Sequence, residues 1–354
     1  MKLFTVGPVE MYPSTLEESG QQLPYFRTDE FSEVMLDSEK MLLEMANAPE
    51  GSRVVFLTAS GTGAMEASVM NCLNGSDSAL VVNGGSFGHR FVEICERHKI
   101  PREQVELPFG KTLTLEDLEA HYNKDMTALL VNVHETSTGQ LYDLKMMSGF
   151  CKKHGLLFIV DAISAFIANE IDMSEMGIDI LILSSQKAFA LAPGISMVIL
   201  SPKAIEMAEK KGTDCIYFDF NDYLKNGERG QTPFTPAVGI LLTLNSRLRD
   251  IKKNGLENVR GAIAEQARDF RERVKSVNVQ IPDYPLSNAV TPLYFPDGNA
   301  RTLYEKLRNE YGLNITPNGG ELGKTVVRVG HIGNLTVEDN RILVEAMKKI
   351  LEGN

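Results

Sequence analysis

Three short stretches of the sequence carry polar groups at places where an α/β protein can do chemistry. The first, TASGTGAMEA (residues 58–67), is a run of small residues between an apolar segment and a helical pattern. Free backbone N–H groups and the helix dipole make such a turn a site for an anion. Glu66 replaces the third glycine of a dinucleotide fingerprint, and no Walker lysine follows. A plain turn capped by Ser60 is the alternative interpretation.

The other two stretches contain one charged residue each. Asp161 ends the apolar run LLFIVDA, where α/β sheets place their ligands, although it could equally cap a following helix. Lys187 lies in SSQKAF, inside the almost wholly apolar segment from Asp179 to Leu200. Desolvation lowers the pKa of an amine and suits it to Schiff-base formation. Taken alone, a lysine that reaches out to solvent is the commoner case.

The combination of these three features predicts a specific cofactor. An anion loop, an aspartate at one strand end and a lysine at the next are the parts of a pyridoxal 5′-phosphate site. In that interpretation the loop holds the phosphate and Lys187 forms the imine. Asp161 would pair with the pyridinium nitrogen and keep it protonated. Each residue alone has a simpler structural explanation, but the set does not.

Apolar, β-branched runs alternate with helical patterns and must position these residues. Runs this uniformly apolar are buried on both faces, so they predict a mostly parallel sheet covered by helices. The short LAPG turn allows the last two strands to pair in an antiparallel sense. The predicted strands are 53–59, 78–84, 104–109, 127–135, 156–163, 179–185 and 195–201.

The pattern changes near residue 250, where a long charged helix at 255–277 precedes a smaller alternation of strands and helices. We therefore predict three parts in the chain. They are an N-terminal segment (1–14) at the substrate entrance, a large cofactor-binding domain (15–248) and a small α+β domain (249–354).

Composition excludes several classes of protein. The 354 residues carry a formal net charge of −11, which argues against a nucleic-acid partner because phosphate contacts need a basic surface. The four cysteines form no C-x-x-C pair, so they indicate reduced thiols of a cytoplasmic protein and no metal site. The sequence starts without a signal-peptide pattern, and no apolar run is long enough for a membrane span.

The ordered motifs of this chain resemble those of a known family. They are SGTGAMEA, NGGSFGHR, HETSTG, IVDAISAF, SSQKAF, TPFTP and VRVGHIG, spread over nearly the whole sequence. The chain looks like a class V aminotransferase of fold type I. The nearest branch contains the alanine–glyoxylate, serine–pyruvate and 2-aminoethylphosphonate–pyruvate aminotransferases. The resemblance implies a seven-stranded, mostly parallel sheet with one antiparallel strand, and a smaller α+β domain.

The resemblance also implies a role for individual cofactor-binding residues. Lys187 and Asp161 would be the catalytic residues, as imine lysine and pyridinium partner. Phe87 stands where many relatives carry Trp or Tyr as a stacking platform for the ring. The other implied cofactor contacts are Ser60, Gly61, Thr62 and Gln186 at the phosphate, Thr136 near the ring 3-oxygen and Ile163 on the opposite ring face.

Substrate and partner contacts are implied in the same way. Arg328 matches the arginine that grips the substrate α-carboxylate, a task for which the guanidinium fork is suited. A solvent-facing charge on an edge strand is the alternative. The backbone at Gly7 would lie near that carboxylate. Thr235, with Thr232 as a second candidate, would reach the phosphate in the partner subunit, which implies a homodimer with shared sites.

Transamination from a small amino acid of the alanine or serine type to glyoxylate or pyruvate is the leading hypothesis. A 2-aminoethylphosphonate–pyruvate transaminase is an alternative, as is a lyase or cysteine desulfurase on the same fold. A desulfurase needs a nucleophilic cysteine in a small-domain loop, and the last cysteine here is Cys215. A non-enzymatic or nucleotide-binding α/β protein would leave Asp161, Lys187 and Arg328 as unrelated charges.

Overall fold

The computed structural model describes residues 1–352. The strands are β1 (Lys2–Leu3), β2 (Arg53–Leu57), β3 (Ala79–Asn83), β4 (Arg102–Glu106), β5 (Ala128–Asn132), β6 (His134–Glu135), β7 (Gln140–Leu141), β8 (Leu157–Asp161), β9 (Ile180–Ser184), β10 (Ser196–Leu200), β11 (Val290–Tyr294), β12 (Leu313–Asn314), β13 (Thr316–Pro317) and β14 (Val326–Gly330). The α-helices are α1 (Pro13–Ser19), α2 (Asp29–Met45), α3 (Gly61–Cys72), α4 (Ser86–Arg97), α5 (Leu115–His121), α6 (Leu144–His154), α7 (Met173–Met176), α8 (Pro202–Lys211), α9 (Phe220–Gly227), α10 (Val238–Asn254), α11 (Leu256–Val274), α12 (Ala300–Tyr311) and α13 (Val337–Glu352).

A seven-stranded sheet forms the centre of the protein, in the order β2-β10-β9-β8-β5-β3-β4. Strand β10 runs antiparallel to both of its neighbours, and the other pairings are parallel. This confirms the predicted mostly parallel sheet with one antiparallel strand. Because the parallel strands share one direction, their carboxyl ends meet at a single edge, which we call the carboxyl edge.

The pleat of each central strand divides its side chains between two hydrophobic clusters. In β9, Ile180 and Ile182 belong to one cluster, whereas Leu181 and Leu183 belong to the other. All four side chains are fully buried. Full burial of such a side chain contributes about 2 kcal/mol, which explains why these strands read as unbroken apolar runs.

The strand predicted for 127–135 is interrupted, and the interruption matters for the site. The chain follows the sheet only as β5, and β6 then pairs with β7 in a separate antiparallel hairpin. The Val133 carbonyl accepts a hydrogen bond from the Tyr142 amide at 2.9 Å, which closes the hairpin, and the Val133 amide donates to the Asp161 carbonyl at 3.0 Å, which ties the hairpin to β8. The hairpin carries His134, Glu135 and Thr136 at the carboxyl edge.

A three-stranded antiparallel sheet, β11-β14-β13, lies in the C-terminal part of the chain. It packs with α11, α12 and α13 around a third hydrophobic cluster, which Phe4 joins from the N-terminal segment. Gly255, with a φ of +81°, separates α10 from α11, so the charged helix predicted from residue 255 is observed as α11. No helix within residues 1–352 is long and apolar enough to cross a membrane.

Candidate active site

A cavity of about 110 Å³ opens at the carboxyl edge of the seven-stranded sheet. It brings together nine of the residues that the sequence analysis selected, although they are up to 127 positions apart (187 − 60). Met65 and Ser164 also line it and were not predicted. The complete lining is Ser60, Gly61, Thr62, Met65, Phe87, Thr136, Asp161, Ile163, Ser164, Gln186 and Lys187.

Lys187 lies just beyond the end of β9, and its side chain is buried. Only 8% of the residue is exposed, so the interpretation as a solvent-reaching lysine is wrong. Its Nζ atom donates a hydrogen bond of 2.8 Å to the carbonyl of Val6. Burial, followed by the positive charge of Arg328, lowers the pKa of Lys187 to about 8. The amine therefore deprotonates far more readily than a surface lysine.

The N-terminal segment covers this amine, and only glycine fits at the point of contact. Gly7 has a φ of +131°, which side chains other than hydrogen rarely allow. A Cβ atom there would lie 2.7 Å from Lys187 Nζ and 2.6 Å from its Cδ. The structure thus places Gly7 against the lysine.

Asp161 ends β8 with a buried carboxylate that has few partners. Its Oδ1 accepts a hydrogen bond of 2.8 Å from the amide of Ile163, two residues later. The next helix, α7, begins only at Met173, so Asp161 does not cap a helix. Burial raises its pKa to about 7. A protonated pyridine nitrogen in the cavity would supply the missing positive charge, so a pyridine cofactor fits this carboxylate.

The small-residue loop lies on the other side of the cavity. Ser60 occupies the N-cap position of α3, but its side chain makes no capping hydrogen bond. The alternative interpretation, a plain turn capped by Ser60, therefore does not hold. A Cβ atom on Gly61 would lie 2.3 Å from Ile163 Cδ1, so glycine allows the loop to approach that side chain. The first turn of α3 opens on the cavity and suits a phosphate.

Two more groups beside this loop can donate hydrogen bonds. Gln186 accepts a bond of 2.6 Å from Ser184 through its Oε1 atom, which leaves the amide nitrogen as a donor. Arg90, which the sequence analysis did not select, donates from Nη1 to Thr62 Oγ1 at 2.8 Å. Its guanidinium carbon lies 5.5 Å from the centre of the Phe87 ring. Arg90 therefore adds positive charge next to the loop.

Phe87 is held in place by a buried carboxylate that the sequence did not reveal. Glu135 is fully buried, and its carboxylate accepts bonds from the amides of Gly88 at 2.9 Å and Ser137 at 3.0 Å. Asn132 Nδ2 donates a third bond at 3.0 Å. An acidic group at the start of α4 also complements the helix dipole. Glu135 thus anchors the turn that presents Phe87 to the cavity.

A chain of hydroxyl and imidazole groups runs inward from the cavity wall. Thr136 Oγ1 lies 2.8 Å from Ser164 Oγ, and Ser164 Oγ lies 2.9 Å from His134 Nδ1. All three residues are buried. Thr136 and Ser164 line the cavity, whereas His134 stands behind them. Thr136 was predicted from the sequence, but its connection to His134 was not, because nothing local links residues that are 28 or 30 positions apart.

Arg328 lies on β14, the central strand of the three-stranded sheet, so its interpretation as an edge-strand surface charge is wrong. It is 7% exposed and donates from Nη1 to the Thr136 carbonyl at 3.0 Å and from Nη2 to the Pro317 carbonyl at 2.8 Å. Its Nε atom is buried without a partner within the described chain. Burial lowers its pKa to about 10. This buried cation is suited to receive a carboxylate.

Thr235 and Thr232 do not reach the cavity within a single chain. Thr235 is exposed, whereas Thr232 is buried and donates its hydroxyl to the Phe234 carbonyl at 2.7 Å. Arg27 ties down the same segment, with Nη1 bonds of 3.0 Å to Gln231 Oε1 and 2.8 Å to the Thr232 carbonyl. The segment is therefore ordered, with Thr235 on its outer side.

Comparisons with known proteins agree with this geometry. The sequence model described as "Aminotransferase class-V" matches residues 20–321. A Synechococcus protein named soluble hydrogenase, small subunit, is 30% identical, with coverage of 99% of this chain and 92% of that protein. The L-aspartate–glyoxylate aminotransferase of Paracoccus denitrificans is also 30% identical, with coverage of 85% and 78%.

Solved structures show the same fold. An aspartate aminotransferase from Thermus thermophilus superposes with a TM-score of 0.92 at 28% identity, covering 100% of this chain and 99% of that one. An alanine–glyoxylate aminotransferase from Nostoc superposes with a TM-score of 0.91 at 26% identity, covering 99% and 94%.

Proposed function

Since the chain belongs to the class-V aminotransferase family, we propose which of its residues carry out the reaction and which substrates it takes. The predicted family is confirmed: the protein is a transaminase, and its cofactor is pyridoxal phosphate. When bound, this cofactor forms a carbon–nitrogen double bond with an amine and withdraws electrons from the amine's own carbon, the one attached to that nitrogen. The observation that supports our assignment is the meeting of Lys187, Asp161 and the 60–62 loop in one cavity.

Lys187 is assigned two tasks, as covalent anchor and as proton carrier. A buried amine with a pKa of about 8 presents a lone pair near neutral pH, which anchoring requires. With substrate in the site, the freed Nζ atom would take the α-proton as general base and give it back to the substrate–cofactor pair as general acid, the two proton transfers that transamination requires. The Val6 carbonyl, 2.8 Å away, offers the free amine a resting hydrogen bond.

The remaining cavity residues hold and orient the cofactor. Asp161 would pair with the ring nitrogen, and Phe87 and Ile163, which line the same cavity, would hold the ring between them. The Thr136 hydroxyl would bind the ring oxygen. Ser60, Gly61, Thr62 and Gln186 hold the phosphate.

Arg328 binds the α-carboxylate of each substrate, and Gly7 lines the approach to it. The amino donor is a small amino acid of the alanine or serine type, and the acceptor is glyoxylate or pyruvate. Arg328 keeps one buried N–H, at Nε, without a partner within the described chain, whereas three other arginines already donate to protein groups, and this contrast supports a donor with one carboxylate. Arg27 bonds to the 231–233 segment, Arg90 to Thr62 and Arg271 to the Thr291 hydroxyl at 2.9 Å.

The active unit is a homodimer in which Thr235 reaches the cofactor phosphate of the partner. Its exposure, on a segment that Arg27 holds in place, supports this assignment. Apolar side chains nearby also lie open: Tyr25 is 68% exposed and Leu23 is 48% exposed. Leu23 lies against Gly239, whose Cβ position is 3.1 Å from Leu23 Cδ2. Exposed apolar groups of this kind are typical of protein interfaces.

Domain organisation and location complete the proposal. The third hydrophobic cluster supports a small domain at 249–354, although its last two residues lie outside the described chain. It leaves 15–248 as the large domain and 1–14 as the entrance segment. The four cysteines are free, which is consistent with a cytoplasmic location.

Two measurements test this function. Borohydride reduction of the yellow protein, followed by peptide mapping, should place the cofactor on Lys187; modification of another lysine would contradict the anchor. Half-reactions with alanine, serine, aspartate and 2-aminoethylphosphonate should then convert the cofactor spectrum fastest with alanine or serine. Faster conversion by aspartate or the phosphonate would overturn the proposed donor while leaving transamination intact.

A further inference from the structure

His134 is a buried histidine whose position behind the cavity wall calls for an explanation. It is 2% exposed, and its Nε2 atom has no partner within the described chain. Burial, and then the positive charges of Lys187, Arg328 and Arg271, lower its pKa to about 3. The imidazole is therefore neutral at working pH and carries a single N–H.

The location of that hydrogen follows from the cost of an unmade hydrogen bond. On Nε2 it would be a buried donor without an acceptor, which carries the full desolvation penalty of that group. On Nδ1 it can be donated to Ser164 Oγ, 2.9 Å away. Unpaired buried backbone N–H groups are rarer in proteins than under-satisfied backbone acceptors, and by the same preference Nε2 is left as the bare acceptor. The Nδ1–H tautomer is thus the favoured one.

This tautomer sets the direction of the whole chain. Ser164 receives a hydrogen from His134, so its own hydrogen goes to Thr136 Oγ1 at 2.8 Å in preference to the His134 carbonyl at 3.4 Å. Thr136 is then already an acceptor, and its own hydrogen is free to point into the cavity. With the hydrogen on Nε2 instead, Ser164 would donate to His134 Nδ1 and Thr136 would donate to Ser164. Thr136 could then only accept a hydrogen bond from a group in the cavity.

We propose that His134 is a positioning residue which, through Ser164, makes Thr136 a hydrogen-bond donor towards the cavity. This inference rests on the proposed function, in which Thr136 faces the ring oxygen of the cofactor. A donor at that place stabilises negative charge on the oxygen. A hydrogen-bond donor from Thr136 thereby weakens the attraction between the ring oxygen and a proton on Lys187 Nζ. The other charged neighbours of Lys187 are Asp161 and Arg328.

The test is the pH midpoint of the visible absorbance change of the cofactor-loaded protein. Removal of the donor strengthens the hold on the Lys187 proton, so the midpoint should rise. His134→Phe leaves Thr136 able to donate to Ser164 instead of to the cavity, so it should raise the midpoint by about 0.5–1 pH unit, the equivalent of one hydrogen bond. Ser164→Ala removes the only acceptor that the described chain offers to the Thr136 hydrogen, so the midpoint should stay near the wild-type value. His134→Asn, whose amide can replace Nδ1–H, should return the midpoint towards the wild-type value.

Two further variants separate the possible failures. Thr136→Val should raise the midpoint as well; if it does not, the proposed role of Thr136 and this inference fail together. If Thr136→Val shifts the midpoint while His134→Phe does not, only the role of His134 is overturned. Should His134→Phe not fold, His134→Leu replaces it, with the same expected rise. His331→Asn, at a buried histidine bonded to Thr291, is the matched control and should leave the midpoint unchanged.

Discussion

Buried charged side chains have different surroundings at the two edges of the seven-stranded sheet: in the part of the chain that the structure describes, they are paired at the amino edge and unpaired at the carboxyl edge. At the amino edge, just before β9, Asp179 accepts hydrogen bonds of 2.9 Å from both the Phe158 amide and Lys203 Nζ. At the carboxyl edge, Asp161 has one backbone donor. Lys187 has no carboxylate oxygen within 4.0 Å among the described residues.

The difference separates stability from function. Asp179 and Asp161 are similarly buried, with 8% and 6% exposed, so burial alone does not distinguish them. Asp179 is satisfied by the protein and contributes to the fold. Asp161, Lys187 and Arg328 have no ion-pair partner within residues 1–352, and a cofactor and its substrate can supply the missing opposite charges. Keeping these buried charges unpaired lowers the stability of the cofactor-free protein.

Replacement of the lysine at the carboxyl edge should have the largest effect. We expect Lys187→Ala to lower kcat at least about 10⁴-fold, because both the anchor and the proton carrier are lost. The fold should stay intact, since the desolvated amine does not stabilise it. Steady-state kinetics and circular dichroism measure the two quantities.

The matched control for that change lies at the amino edge. Lys203→Ala should leave turnover unchanged and lower the free energy of unfolding by about 1 kcal/mol, because Asp179 loses one donor from a half-exposed pair. A loss of turnover in this variant would contradict the separation of the two edges.

Arg328→Lys should come next in size. We expect kcat/KM to fall about 100-fold, since a lysine cannot keep both carbonyl contacts and still bind a carboxylate with a fork. Arg53→Lys, at a guanidinium whose Nε lies 2.7 Å from Glu39, serves as the control and should leave kcat/KM unchanged. An unaltered kcat/KM in Arg328→Lys would exclude its role in carboxylate binding.

Substitution of the two aspartates by asparagine should change the free energy of unfolding of the cofactor-free protein in opposite directions. The folded-state pKa of Asp161, about 7, lies above its ordinary value of 3.8, so ionisation costs stability as pH rises through this window. Asp161→Asn should therefore raise the free energy of unfolding by about 2–4 kcal/mol at pH 8, with no gain at pH 4.

Asp179→Asn should instead lower the free energy of unfolding by about 1–3 kcal/mol, because Lys203 then loses its charged acceptor. Urea denaturation at both pH values measures these differences. Destabilisation of equal size by both substitutions would remove the contrast between the edges.

Gly7→Ala should produce the smallest change. The added methyl group meets Lys187 Cδ at 2.6 Å and forces a strained φ, so the N-terminal segment must move away from the amine. We expect about a tenfold lower kcat/KM with little change in melting temperature. Gly212→Ala, also at positive φ but in open space, controls for backbone strain, and an equal loss there would contradict the contact.

Much of the fold was predictable because local patterns carry it. Every strand of the large sheet was identified within a few residues, since side chains buried on both faces must be apolar. The positions of Asp161 and Lys187 followed from the ends of β8 and β9, which are adjacent and parallel in the sheet. Helix α2 was not assigned, although its buried face includes Phe31, Met35 and Leu42.

The sequence by itself determined the alternation of strands and helices in the large sheet, nine of the eleven cavity residues and the family to which they belong. Tertiary structure alone decided which of these groups touch. Gly7 meets Lys187 across 180 positions (187 − 7), and His134 reaches Thr136 only through Ser164. The periodic spacing of apolar residues indicates which side chains are buried, and it can be recognised within each segment of the sequence. Hydrogen bonds between distant segments depend on sheet order and on the hairpin that carries His134, and neither leaves a local pattern.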